Sequence, residues 1–196
     1  MTEQQPYELV RQALDYELRR YPSHVLAEVL VRDGDFEDAG NRAFRSLFGY
    51  ISGENTARQS IEMTAPVVQS ARSRIAMTAP VVQQKSDDGF VVAFVLPADM
   101  TEATAPVPAR SEVTLRTVPE RMVAAKRFSG RWTRASWDSH REVLLASLSA
   151  NGLTPIGIPR FARFDPPYTP WFLRRNEVLV DIAGTADRSG GRAHGE

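Results

Sequence analysis

The 196-residue chain contains no cysteine. This excludes disulfides, thiolate nucleophiles, cysteine-held zinc, iron–sulfur clusters and covalently attached c-type haem. A dominant charge is missing too, because 24 basic and 24 acidic residues cancel to a formal net charge of zero. No field of single sign is available to hold nucleic acid or an anionic membrane, so neither is expected as a partner. Long apolar runs are absent: none approaches the ~18 residues of a spanning helix. The opening stretch MTEQQPYELVRQ is polar and lacks a signal-peptide core, so a cytoplasmic protein is expected. Histidine is scarce, occurring only as His24, His140 and His194, and lysine only as Lys85 and Lys126 beside 22 arginines. The arginines are scattered along every segment, which reads as compositional bias.

What is present has ordinary globular proportions, with 42% hydrophobic, 24% charged and 9% aromatic residues. The length predicts one domain over 1–183, built of two halves at about 6–97 and 109–183. The Gly-rich, aperiodic tail 184–196 is expected to be disordered. In the first half, strands are predicted over 16–21 and 25–32, split by Pro22, with Val25, Ala27, Val29 and Val31 on one face. Asp35 then offers an N-cap, and Phe36, Gly40, Ala43, Phe44, Leu47 and Ile51 form a helical stripe with Phe48 on its shoulder. Strands follow over 61–68, 75–82 and 90–96. The second half repeats that order: strands over 113–118 and 122–128 joined at Pro119-Glu120, a helix over 133–150 with Trp137, Leu144 and Leu148 inward, then strands over 158–164 and 177–182. The result is an α+β fold in which a pseudo-two-fold duplicated unit pairs its strands mostly antiparallel, with helices outside or flanking a cleft.

The strongest internal signal is a near-exact repeat. Residues 61–69 read IEMTAPVVQ and residues 75–83 read IAMTAPVVQ, an offset of 14 that keeps equivalent residues on the same facing. A β-hairpin with Pro66 and Pro80 at bends or edges accounts for the spacing. It does not account for Met-Thr-Ala-Pro-Val recurring letter for letter.

Together with YELRRYP (16–22), FGYISGEN (48–55), VAFVLP (92–97), the Pro106–Pro108 triplet, FSGRW (128–132), FDPPYTP (164–170) and RRNEV (174–178), the tandem motif resembles the SOUL/haem-binding protein family over most of the chain. The resemblance implies a distorted β-barrel flanked by two α-helices and reversible, non-covalent binding of haem or another tetrapyrrole. It also implies a ring lying against the first helix and the loop containing Asp165-Pro166-Pro167. A monomer is expected. Arg20 stands where the resemblance puts a haem-ligating histidine. Asn41, Gly49 and Thr169 stand where it puts other basic residues.

Haem needs a broad apolar surface, cations for its propionates and optionally an axial ligand. Phe44, Leu47, Phe48 and Ile51 on the first helix are candidates for the surface, as is Met63, although such a stripe also serves as ordinary core. The loop 166–172, PPYTPWF, crowds Tyr168, Trp171 and Phe172 together, either as a plug or as a binding lip. Arg174 and Arg175 suit a propionate or a buried carboxylate, and Glu177 offers one of them a local partner. No metal ligand is assigned. His24, on a mixed face with Leu26, Glu28 and Leu30, and His140, at the rim of the second helix, are weak candidates expected at the surface. Tyr50, Tyr168, Met63 and Met77 are further substitutes, and methionine in a strand is mostly core filler. No nucleophile–histidine–acid pattern, phosphate-cradling loop or metal-ligand spacing appears. Haem binding as buffer, carrier or sensor is therefore the expectation. A tetrapyrrole-modifying or haem-degrading enzyme, or a broad-specificity binder of flat hydrophobic molecules, are the alternatives.

Overall fold

Apolar residues at alternate positions set the strands, and the computed structural model gathers them into one sheet with a helix behind each half. It describes residues 3–32, 36–57, 61, 64–71, 89–165 and 168–183. The strands are β1 (Glu3–Gln4), β2 (Glu8–Gln12), β3 (Glu17–Tyr21), β4 (His24–Val31), β5 (Thr64–Ala71), β6 (Phe90–Val95), β7 (Val113–Val118), β8 (Arg121–Phe128), β9 (Pro155–Arg163) and β10 (Asn176–Ile182). The helices are α1 (Phe36–Ile51) and α2 (Arg134–Ala150), and a 3₁₀ turn spans Trp171–Leu173. Along the sheet the order is β2-β3-β8-β10-β9-β5-β6-β4-β7, with β1 pairing β5 in parallel and all other neighbours antiparallel. The fold is α+β as expected. Among the described residues the ladder runs open from β2 to β7, so the expected barrel closure is not among its pairings.

The strand order carries an exchange between the two halves of the chain that the sequence does not reveal. Outward from the seam between β9 and β5, one half reads β9-β10-β8 and the other β5-β6-β4. The next strand on each side comes from the opposite half: β3 pairs β8, and β7 pairs β4. The segments around Pro22 and Pro119 are therefore crossovers between halves and not hairpin turns. Proline removes a ladder donor and biases the preceding residue to extended backbone, which suits a strand that continues into a new pairing.

Each helix packs on the outer face of its own half. Ala43, Leu47, Tyr50 and Ile51 of α1 meet Val25, Ala27, Val29, Val92 and Phe94 in one core. Trp137, Leu144 and Leu148 of α2 meet Ala124, Phe128, Phe161, Val178 and Val180 in another. Both helices stop at glycines in the left-handed region, Gly53 (φ 110°) and Gly152 (φ 66°). α2 starts at Thr133, whose hydroxyl accepts from the Ser136 N–H at 3.3 Å. Thr133→Ala is expected to cost about 1 kcal/mol in chemical denaturation, the usual loss of an N-cap. An unchanged midpoint would show that the first turn of α2 is held by packing alone. Asp35, Met63, the second MTAPV copy with Met77, Pro166-Pro167 and the tail lie outside the described residues.

Candidate functional site

Two places combine chemistry with space: the outer surface around α1 and the 168–175 segment, and the inner face of the sheet. On α1 the apolar stripe divides. Leu47 and Ile51 point at the strands and are core, so neither is available to a ligand as the sequence suggested. Phe44 and Phe48, one turn apart on the shoulder, face outward, with Phe48 50% exposed. Their rings stack with centroids 5.7 Å apart, and Phe44 meets Phe94 edge-on at 5.4 Å.

The second aromatic group lies on the 3₁₀ turn. Trp171 and Phe172 are 49% and 58% exposed and pack edge to face at 5.6 Å. Leu173 and Tyr168 are exposed beside them in the sequence. These exposed side chains do not plug the interior.

A run of contacts joins the two groups. At Gly40 of α1, an added Cβ would lie 2.7 Å from Nη1 of Arg163, so the helix and the end of β9 are in close approach. The Arg163 guanidinium carbon sits 4.8 Å from the Trp132 ring centre and that of Arg174 sits 4.2 Å from it. Trp132 is fixed by its indole N–H, which donates to Asn176 Oδ1 at 2.8 Å. Arg174 Nε donates to the Thr169 carbonyl at 2.7 Å, tying the cation to this segment. Trp132 and Arg163 are the residues that sequence reading missed. The FSGRW motif was visible, but nothing in it said that its tryptophan would hold two guanidinium groups.

Arg175 has a different role. It donates from Nη2 and Nε to Glu177 Oε1 at 2.7 and 3.1 Å, and Glu177 is fully buried. The same carboxylate takes two bonds from Arg19, at 2.6 and 3.0 Å. Arg175 is therefore a structural cation, and Arg174 remains at the aromatic surface.

The histidines correct the sequence reading. His24 is only 7% exposed, because the mixed face it shares with Leu26 and Glu28 lines the inner cleft and not solvent. Its Nδ1 lies 2.8 Å from the Pro22 carbonyl. Burial, joined by the charges of Arg121, Arg160 and Arg116, pushes its pKa down against that hydrogen bond. His140 is half-buried against Phe128, centroids 4.1 Å apart, and burial with the charge of Lys126 lowers its pKa. Neither ring belongs to the α1 surface. Tyr50, a possible oxygen ligand, is buried and donates to the Pro106 carbonyl at 2.8 Å.

The inner cleft holds a cavity of about 50 Å³ between the two halves, lined by Tyr21, His24, Arg116, Arg121 and Arg160 among others. Ligand sites for drug-sized molecules run to about 300–1,000 Å³, so a macrocycle does not fit there. The outer surface carries the exposed rings of Phe44, Phe48, Trp171 and Phe172 and the guanidinium of Arg174, and none of the described histidines lies there. Among the described residues no group of three His, Asp or Glu is poised to hold a metal, and no helix is long and apolar enough to cross a membrane.

The sequence profile described as SOUL heme-binding protein matches residues 2–181. No curated protein sequence matches the chain. Solved structures share the fold at low identity. The C-terminal domain of EcmrR is 9% identical with a TM-score of 0.63, covering 90% of this chain and 98% of that one. A hydrolase from Listeria innocua is 12% identical with a TM-score of 0.59, covering 86% and 92%. SAV2435, bound to tetraphenylphosphonium, is 11% identical with a TM-score of 0.51, covering 87% and 95%. Three differently described proteins on one fold leave function to the site.

Proposed function

The chain belongs to the SOUL heme-binding protein family, and from that premise we propose that it binds a tetrapyrrole reversibly and non-covalently, as a buffer, carrier or sensor. The observation that carries this reading is the paired exposed aromatic surface, Phe44–Phe48 and Trp171–Phe172, joined through Arg163, Trp132 and Arg174. Exposed aromatic groups of this kind mark interaction sites. Phe44, Phe48, Trp171 and Phe172 hold the ring faces, and Arg174 receives a propionate. Haem, when bound, would supply an iron centre, and none of the described histidines lies on this surface.

The test is a hemin titration followed at the Soret band. The band is expected to shift and saturate at one equivalent. Phe44→Ala and Trp171→Ala remove exposed rings, so each should weaken binding about tenfold, or ~1.4 kcal/mol, with little change in melting temperature. If both variants titrate like wild type, the ligand does not sit on this surface.

A second reading is supported by the tetraphenylphosphonium bound to SAV2435: the aromatic surface accepts flat or bulky hydrophobic molecules in general. Comparable affinity for hemin, a metal-free porphyrin and an unrelated aromatic dye favours it. A strong preference for tetrapyrroles removes it.

A further inference from the structure

The inner cleft carries chemistry that the tetrapyrrole reading does not use. Asp181 receives two bonds from Arg160, at 2.9 and 2.5 Å, and a third from Arg121 at 3.1 Å. Arg116 forks onto Glu28 through Nε and Nη2, with Nη2 2.5 Å from Oε1. Three guanidinium groups thus face two carboxylates around a cavity of about 50 Å³. One positive charge is in excess.

The hydrogen-bond inventory points the same way. Among the described residues, Arg121 Nε, Arg160 Nε and Gln5 Nε2 are buried with no hydrogen-bond partner, and all three residues line this cavity. Every one is a donor. A water molecule accepts two such bonds but must place its own hydrogens against a positive field, whereas an anion accepts without donating. The excess charge is felt by the neighbours: burial and the charge of Arg160 hold the Arg121 guanidinium down at about 10. Burial and all three arginines also lower His24.

We propose that the cleft between the two halves is a binding site for a small planar oxyanion of formate, acetate or bicarbonate size, held between Arg121 and Arg160. Volume sets the size: a water needs about 10–15 Å³ of such space, so the cavity of about 50 Å³ takes a group of a few heavy atoms and no ring system. Planarity follows from Arg121, which gives Asp181 only Nη1 and keeps its Nε edge for a carboxylate, while Arg160, forked onto Asp181, adds its Nε. The position between exchanged strands makes the anion a clamp, because Arg121 begins β8 beside one crossover and Arg160 belongs to β9 of the same half, while Gln5 follows β1 on β5 of the other.

The experiment follows the ring resonances of His24 by NMR as sodium acetate replaces sodium chloride at constant ionic strength. A saturating, single-site shift is expected, with the midpoint at least tenfold higher in Arg160→Gln and unchanged in Arg110→Gln, whose ion pair with Glu54 is on the surface. A linear, non-saturating response of the wild-type protein overturns the proposal. So does an Arg160→Gln variant that titrates like wild type. Should that variant not fold, Arg121→Lys, which keeps the charge and loses the fork, is read in the same way. Hemin binding is scored separately at the Soret band, so either site can fail alone.

Discussion

Glu177→Ala is expected to remove about 3–5 kcal/mol of stability, enough to lower the melting temperature by roughly 6–20 °C in a domain of this size. The carboxylate is fully buried, and the Arg19 side chain that grips it through two bonds is 2% exposed. Burial works against the Arg19 charge, yet the bonds and charge of Glu177, helped by the Tyr21 phenol at 3.2 Å, raise its pKa above the ordinary value. Deleting the carboxylate leaves Arg19 with its charge inside the protein and takes Arg175's partner as well. Glu17 also touches Arg19, at 2.6 Å, but is 28% exposed, so Glu17→Ala should cost about 1 kcal/mol or less. Replacing both ends of the buried pair together, Arg19→Met with Glu177→Leu, should recover most of the loss, because no charge is then stranded. Denaturant titration of the four proteins measures this. A Glu177→Ala midpoint close to wild type would mean that water reaches Arg19 and the pair is not the anchor of β3.

That pair also marks where sequence reading ends. α1 spans the residues its 3.6-residue stripe predicts, and Val25, Ala27 and Val29 lie on the face their alternation predicts. Such periodicities are local and survive in any context that buries one face. Glu177, by contrast, reads as a neighbour's partner, and only the fold brings Arg19 to it across 158 positions. β1, β2 and the exchange of β3 and β7 were illegible for the same reason: a strand's partner is not encoded in its own pattern. His24 misled because a mixed face reads as solvent, and a cleft between two sheet halves presents the same mixture.

The candidate surface divides along a similar line. Phe44 and Phe48 were identified as helix apolar positions along with Leu47 and Ile51, but the stripe is wider than the core can cover. Its centre packs under the helix and its shoulder is left outside. Exposure, not hydrophobicity, separates the two groups. Arg174 and Arg175 are adjacent in sequence and diverge by extended geometry, one to the aromatic surface and the other to the buried carboxylate.

Asp181→Asn is the second large effect, with an expected loss of about 2–3 kcal/mol at pH 7. The residue is 24% exposed on its side chain and takes three bonds from two guanidinium groups, so its removal leaves Arg121 and Arg160 facing each other without a counter-charge. The cost is below that of Glu177 because solvent reaches part of the group. Its pH dependence distinguishes charge from packing. Burial pushes the Asp181 carboxyl up, but the bonds and charge of Arg160, followed by those of Arg121, outweigh it and hold the pKa below the ordinary value. A carboxylate whose folded pKa is depressed contributes stability that is complete above the unfolded value of about 3.9 and lost as pH falls through the folded one. Wild type and Asp181→Asn should therefore differ fully at pH 7 and converge as pH drops below about 4. Urea midpoints of both proteins across that range decide it. A difference that persists undiminished into acid would mean that the asparagine disturbs packing, and that the two arginines do not depend on a negative partner. Acetate adds a second arm. If the cleft takes an oxyanion, removing Asp181 frees the guanidinium forks for it, and added acetate should restore part of the lost stability in the variant while chloride at the same ionic strength does not.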